Sequence, residues 1–563
     1  MKLKGIVLKE TLNIKPSTAM CFLVYLICSG LLELFSYTLG GVFELLTSRI
    51  WLFTGILSFG CMGYWLICRC IKDVKNKDFI LVAGFFVLLG FFFYFVGNVN
   101  YSDVNQDATQ QMAAGINSFS QSNWNFTGSA FLGYPNRQYL LAALPSLLFG
   151  RSIFTLHLGF AIPFFFGLIM FYLGLREWCN ERRGSGLSAL AAVYSLLAFR
   201  FVTEYFMNFE QAITPISLTM ILIGLFLKLC KKPDIITMVI LAWTCSYCAG
   251  SYTPVLASVG LLIVFLVLYI LDIHKNKNIK YKWMEYPVEA IKCICFIIIY
   301  IITVTAIILL HTTPVKTEQV KEEISFPIYC FQCIRDFFFD KDVVFFGGIG
   351  LVMLIYIVLA LTFRLKLQDL LIALWVFAVV ILANYMTGYT TYQKAWILQR
   401  TMIIIPVLIA GIVISLLPLT EKLQTRKYVA ASLVVFTLTG MYNFQQVHQS
   451  FTYFSYVQPM KYMLSTATNI VRDREIDECN LILYTDNQLI KNVQDYSIFL
   501  FPNAHTYTPE YGEVLEEIDF SLPTIIFSNE PTACGYYDGD MMEYSYTEQR
   551  YDMKVTWYVV VQY

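Results

Sequence analysis

Apolar runs about long enough to cross a bilayer recur along the first 443 residues, separated by short polar breaks. They predict thirteen membrane spans, near 17–38, 50–68, 79–97, 152–175, 185–203, 213–228, 234–250, 252–271, 288–311, 343–363, 368–385, 401–418 and 427–443. The spans should be helical, because a backbone in hydrocarbon must bond within its own segment. The chain opens with Lys2, Lys4, Lys9 and Lys15, but no small-residue cleavage site follows a short apolar core. The first span is therefore expected to remain as an anchor.

The pattern changes after residue 443. Short apolar runs (Leu481–Leu483, Ile498–Phe501, Pro523–Phe527 and Trp557–Val561) alternate with turn-like stretches such as Asn503-Ala504-His505 and Tyr537-Asp538-Gly539-Asp540. One helix is expected around Met460–Val471. This spacing predicts a small α/β domain. The expected organisation is N-terminal spans over 1–97, a long loop with interfacial helices over 98–151, a transmembrane core over 152–443, and the α/β domain over 444–563.

Composition sharpens this. Of 563 residues 57% are apolar and only 14% charged, against about 25% charged in soluble domains. Forty basic and forty acidic residues exclude a nucleic-acid binder driven by bulk charge. Fifteen cysteines are too few for a disulfide scaffold in so long a chain, and Cys21, Cys28, Cys61, Cys245 and Cys293 sit inside apolar runs as small core residues.

Charge also sets the sidedness. With the N-terminus inside, the inner segments hold 24 Lys plus Arg, the outer loops ten and the tail six. Basic loops stay cytoplasmic, so the tail falls outside. The tail carries 17 acidic residues and is too acidic to lie on anionic lipid. The expected location is a multi-pass cell membrane protein with an extracytoplasmic C-terminal domain.

Four outer segments are too long or too polar to be plain turns. The first starts at Asn98. Asp103 and Asp107 lie one helical turn apart, just beyond the third span. Carboxylates at the membrane surface suit general-base work or metal binding, whereas Asp103 as a helix cap and Asp107 as a solvated side chain is the plainer reading. The loop continues through Asn125-Phe126-Thr127, a weak glycosylation pattern, and Tyr134-Pro135-Asn136-Arg137. Residues 138–149 are apolar but too few to span, so they should lie at the interface.

The second segment carries Glu204 and Glu210, and Arg200 four residues before Glu204 offers a structural partner. The third, His311–Asp342, holds Cys330-Phe331-Gln332-Cys333, which fits a disulfide or two loop thiols better than zinc. The fourth holds Tyr385, Tyr389, Tyr392, Lys394, Trp396 and Arg400. That set suits a membrane belt or an anionic headgroup equally.

Residues 98–212 resemble the GT-C glycosyltransferases of the family-39-like branch, which includes protein O-mannosyltransferases and the lipid A aminoarabinose transferase. The likeness rests on Asp103 after an early span, Gly133-Tyr134-Pro135, Leu148-Phe149-Gly150 closing an interfacial helix, Arg182-Arg183-Gly184 in a basic turn, and Glu210 before the next span. Leu483-Tyr484-Thr485-Asp486 looks like the first strand of that family's outer domain. The chain departs from the pattern in having Tyr134 where the family has Lys, His157 where Arg is common, Val104 after Asp103 and Glu210 instead of Asp. Two further spans precede the usual first one.

The resemblance implies a GT-C fold and an enzyme moving a sugar from a polyprenyl-phosphate donor to a glycan, lipid or protein acceptor on the extracytoplasmic face. Asp103 would be the base, with Asp107 and Glu210 in catalytic support. Tyr134, Arg137, Glu204, Tyr392, Lys394 and Arg400 would bind substrate. The sequence names no cofactor, and Asp103 and Asp107 could share a divalent metal. No Gly-rich nucleotide loop is evident, which fits a lipid donor. The other classes are a lipid or sugar transporter, which calls for acids buried mid-membrane, and a non-catalytic scaffold, which leaves the carboxylates unexplained.

Overall fold

The computed structural model describes residues 20–28 in part, 42–75, 144–178, 185–202 in part, 213–231, 240–244 in part, 325–339, 423–453, 457–484, 501–509 in part, 518–548 in part and 553–563. Its helices are α1 (Val42–Lys75), α2 (Ile153–Trp178), α3 (Ser185–Ala198), α4 (Ile213–Lys231), α5 (Phe326–Phe339), α6 (Leu423–Tyr453), α7 (Val457–Asp473) and α8 (Pro531–Cys534). The strands are β1 (Cys479–Tyr484), β2 (Ala504–Tyr507), β3 (Thr524–Ser528), β4 (Met541–Glu548) and β5 (Met553–Gln562).

Helices stand where five spans are expected: α1 over 50–68, α2 over 152–175, α3 over most of 185–203, α4 over 213–228 and α6 over 427–443. Among the described residues one stretch, Leu158–Arg176 of α2, is long and apolar enough by itself to cross a bilayer. Leu187–Leu196, Ile216–Lys228 and Val429–Asn443 are shorter apolar helices. The expected spans near 79–97, 252–271, 288–311, 343–363, 368–385 and 401–418 lie outside the described residues, and those near 17–38 and 234–250 do so in part.

The core of the bundle is the contact between α2 and α4, and glycine makes it. A Cβ on Gly167 would stand 2.7 Å from the Ser217 carbonyl oxygen, and one on Gly174 2.5 Å from Gly224 Cα. One on Gly224 would run into the carbonyl of Met170. Small residues let two backbones approach in this way when no hydrophobic effect drives helices together in lipid. Contacts advance together along both chains, from Gly167 with Ser217 to Gly174 with Gly224, so α2 and α4 run parallel. Two parallel helices with one helix between them in sequence fit two crossings in one direction with α3 returning.

Other contacts build outward from this pair. Phe59 of α1 stacks on Phe166 of α2 with centroids 5.1 Å apart. Phe22 and Tyr25 meet Trp243 edge-on at 5.5 and 5.7 Å, joining the first apolar run to the seventh. α3 lies against both α2 and α6.

Four hydroxyls inside these helices bond back to their own backbone, whereas Ser58 Oγ and Thr219 Oγ1 are buried with no protein partner among the described residues. Thr54 donates to Ile50 O at 2.8 Å, Ser195 to Ala192 O at 2.7 Å, Thr244 to Ile240 O at 2.9 Å and Thr437 to Leu433 O at 2.7 Å. Such self-service is what a dry surrounding demands. Large apolar side chains left uncovered on α6 (Val434, Val435, Leu438, Met441) and α1 (Phe53, Leu57, Ile67) fit contact with lipid tails. Arg176 and Lys228 are buried at the C-terminal ends of α2 and α4, where the helix dipole favours a cation.

Two local expectations change. Cys330 and Cys333 lie on α5 and are not joined as a disulfide, and they are not loop residues. The intervening aromatic run continues helically, with Tyr329 and Cys333 buried beneath and Phe331 and Ile334 exposed. The break expected at Asn503-Ala504-His505 is a turn only at Asn503, and Ala504 and His505 begin β2. Pairing with β1 in parallel register, Cys479 against Ala504, overrides the weak local preference.

The C-terminal sheet has the order β2-β1-β3-β5-β4, with β1, β2 and β3 parallel and β5 antiparallel to β3 and β4. The central strands β1 and β3 are buried on both faces, which is why Leu481–Leu483 and Ile525–Phe527 read as continuous apolar runs. On one face Ile482, Tyr484, Ile526 and Val560 pack with Ala533 and Cys534 of α8. Asn480 donates to Asp519 O at 2.9 Å and Thr524 Oγ1 at 3.1 Å, fastening β1 to the start of β3. The Tyr484 and Tyr537 hydroxyls bond at 2.6 Å, and burial pushes the Tyr537 phenol well up.

The glycine contact gives a direct test. Gly224→Ala should lower the melting temperature of the detergent-solubilised protein, at an overpacking cost of about 1–3 kcal/mol. Gly60→Ala, whose Cβ would meet nothing within 4 Å, should leave it unchanged. Equal melting of the two variants would mean the helices are free to part.

A second test concerns the sheet. Burial pushes the Cys479 and Cys534 thiols up to about 11, the Glu478 charge adding to the effect at Cys479. At pH 8 only about one part in a thousand of either is thiolate. Iodoacetamide at pH 8, followed by peptide mass spectrometry, should spare both in the folded protein and modify both after unfolding. Rapid modification before unfolding would show the sheet faces to be open.

Candidate functional site

All nine residues singled out from the sequence, Asp103, Asp107, Tyr134, Arg137, Glu204, Glu210, Tyr392, Lys394 and Arg400, lie outside the described residues. The structure describes the framework from which their segments depart. Two departure points are defined: the junction before α2, where the first segment expected to lie outside ends, and the end of α3, where the second begins.

The junction is built by sequence-local chemistry. Residues 144–149 form a short helix, and Leu148 and Phe149 at its end are exposed apolar side chains, as an interfacial segment requires. Gly150 then turns the chain at φ +88°, a conformation that L side chains rarely adopt. Ser152 and Thr155 cap α2 reciprocally: the Thr155 N–H donates to Ser152 Oγ at 3.1 Å and the Ser152 N–H to Thr155 Oγ1 at 3.0 Å. The Thr155 hydroxyl also donates to the Gly150 carbonyl at 2.9 Å and accepts from Ser146 Oγ at 3.1 Å. One hydroxyl therefore fixes the interfacial helix, the turn and the start of α2 to each other.

Arg151 sits in this turn and was passed over among the outer cations. Burial lowers its pKa from the ordinary arginine value, so its guanidinium has lost part of its hydration. The signal in the sequence was its place, directly after Leu148-Phe149-Gly150 and before an apolar run.

The second departure point is less regular than the hydropathy suggests. α3 stops at Ala198, the chain bends at Phe199, and helical geometry resumes at Arg200. The Phe199 N–H closes onto Leu196 O at 3.2 Å. The Ala198 carbonyl accepts from Asn443 Nδ2 of α6 at 2.6 Å.

No family model matches the chain, and no curated protein matches it. Solved structures similar to it include two of one protein. One is ArnT from Cupriavidus metallidurans in the apo state, 11% identical, with 87% of this chain and 98% of that one covered at a TM-score of 0.46. The other is the same protein bound to undecaprenyl phosphate, 12% identical, with 84% and 97% covered at a TM-score of 0.46. Likeness at that level assigns neither a fold nor an activity.

Among the described residues no group of three or more His, Cys, Asp or Glu side chains could hold a metal ion. Asp103 and Asp107, the pair suggested for that role, are not among them.

The junction carries its own test. Thr155→Val keeps the shape and removes the hydroxyl that ties Ser146, Gly150 and Ser152 together. It should cost about 1–3 kcal/mol of stability, read as a lower melting temperature. Ser195→Ala, which loses only a bond within its own helix, should change little. The reverse order would make the turn a passive connection.

Proposed function

We propose that the chain is a membrane glycosyltransferase of the GT-C type, moving a sugar from a polyprenyl-phosphate donor to an acceptor at the extracytoplasmic face. The observation that carries the reading is the order of features along 98–212: an acid just past a span, a long loop, a short helix, a glycine turn, a span, a basic turn and a second acid. The short helix, the left-handed Gly150 and the capped start of α2 fit the interfacial helix in that order. The parallel course of α2 and α4 supports sidedness in which the first and second outer loops share a face.

The chemistry asks little of the protein. The leaving group is a phosphate, which departs as a stable anion without a general acid. One carboxylate base is enough, unlike the two that glycosidases need. Asp103 takes the proton from the acceptor hydroxyl or amine as that atom attacks C1 of the sugar, the bond to the phosphate oxygen breaks, and the anomeric centre inverts. Arg137, Lys394 and Arg400 hold the developing phosphate charge. Glu210 binds the acceptor or raises the basicity of Asp103 by like charge. Glu204, Tyr134 and Tyr392 complete the substrate contacts, and Asp107 positions the acceptor.

The test is Asp103→Asn in the full-length protein. It keeps size and hydrogen-bonding shape but cannot take a proton. Transfer of sugar from a radiolabelled polyprenyl-phosphate donor should fall by about 10²–10⁴-fold while donor binding persists. Asp107→Asn should cost less. A dead Asp107→Asn with an active Asp103→Asn would move the base one turn along the helix. Full activity in both would overturn the mechanism and favour a transporter.

A further inference from the structure

α5 is apolar on both sides. At the helical turn, Tyr329 and Cys333 fall about 40° apart, and both are buried. Ile328, Phe331, Ile334 and Phe339 spread over about 140° of the opposite side. All four are exposed, Phe331 at 68% and Phe339 at 82%. Arg335 lies among them and is exposed as well. A helix with water on one side carries polar residues there, so an uncovered apolar face marks a surface that something other than water covers.

Length and place in the chain point to what covers it. The 14 residues of α5 make about 21 Å of helix, too short for a hydrocarbon core of about 30 Å. The helix therefore cannot cross the bilayer. Phe339 stands four residues before the apolar run expected to span from near residue 343. Four residues reach about 14 Å at most, which keeps this end of α5 beside the edge of the membrane. The uncovered faces of α1 and α6 carry the same large apolar side chains and fit contact with lipid tails. An aromatic and aliphatic face with a long-stemmed cation beside it is the composition of a helix lying in the interface plane.

We propose that α5 is an interfacial anchor, lying along the bilayer surface with Ile328, Phe331, Ile334 and Phe339 in the acyl-chain boundary and the Arg335 guanidinium at headgroup level. The occupant of this face is lipid, not a protein partner. The inference rests on the membrane character of the chain and goes beyond the transferase reading, which gives α5 no part.

The experiment uses the full chain in phosphatidylglycerol nanodiscs. A photo-crosslinking p-benzoylphenylalanine replaces Phe331 or Ile334 in separate samples. Leu438, on the uncovered face of α6, serves as the lipid-facing comparison, and exposed Asp538 of the C-terminal domain as the water-facing one. After irradiation, peptide mass spectrometry should find phospholipid adducts at 331 and 334 about as often as at 438. They should be at least about 10-fold more frequent than at 538, since one buried aromatic or aliphatic side chain favours insertion by that much. Adducts at 438 with only the 538 level at 331 and 334 would overturn the proposal. Cross-links from 331 chiefly to a second copy, seen as a doubled mass, would also overturn it, because the face would then be a protein interface. Fluorescence gives an independent reading that needs no cross-link. Dansylalanine at 331 should be quenched more strongly by acyl-brominated phosphatidylglycerol than by aqueous iodide. The opposite order would overturn the proposal whatever the cross-linking yield.

Discussion

Water is missing from the hydrocarbon layer, so every polar group placed there must find its partner in the protein. Much of the described helical structure fits that one requirement. Hydroxyls on α1, α3 and α6 spend their donors on the carbonyls of their own helix. Where apolar surface gives no net gain from contact between helices, backbones approach through glycine, and Gly167, Gly174 and Gly224 let α2 and α4 meet at main-chain distance. Asn443 is the complementary solution: its amide meets a carbonyl of another helix, at the bend in α3.

The C-terminal sheet follows the rule of a water-facing fold. There the gain comes from covering apolar faces, and β1 and β3 disappear entirely between two layers. Polar groups inside it pair in a network: Asn480 with Thr524, Tyr484 with Tyr537, Cys534 Sγ with the Tyr558 carbonyl at 3.6 Å. α7 lies between the two regimes, directly before β1 in the chain, with Ala467 and Ile470 buried and its charged Arg472 and Asp473 exposed.

What the sequence made legible follows from these rules. Long apolar runs identified α1, α2, α4 and α6, and short ones identified β1, β3 and β5, because a continuous apolar run leaves a composition signal that needs no knowledge of the partner. β2 was read as a break because a four-residue edge strand, half exposed, has no such signal. β4 was missed for a related reason: Met542 and Tyr544 face inward between exposed Met541, Glu543 and Ser545, and the run reads as polar. The bend at Phe199 and the glycine contact depend on partners far away in sequence, so no local pattern could contain them. At the candidate site the acids stood out because carboxylates are rare near span ends. Arg151 did not, because an arginine at the mouth of an apolar run looks like any interfacial anchor until its loss of hydration is seen.

These constraints bear on how a transfer site could work at the membrane surface. A carboxylate base and a phosphate leaving group are both anions, and they repel unless cations and fixed dipoles stand between them. Holding such groups in place requires a frame that does not yield. The frame described here is hydrogen-bonded at both points from which the expected outer loops depart. At the first, Thr155 locks a helix, a left-handed glycine and a span start into one unit. At the second, α3 bends and is held from the side by a different helix, so the loop's base belongs partly to α6. A junction closed by neighbours in sequence can form as soon as its own residues fold. One closed across 245 residues can form only after both helices are packed.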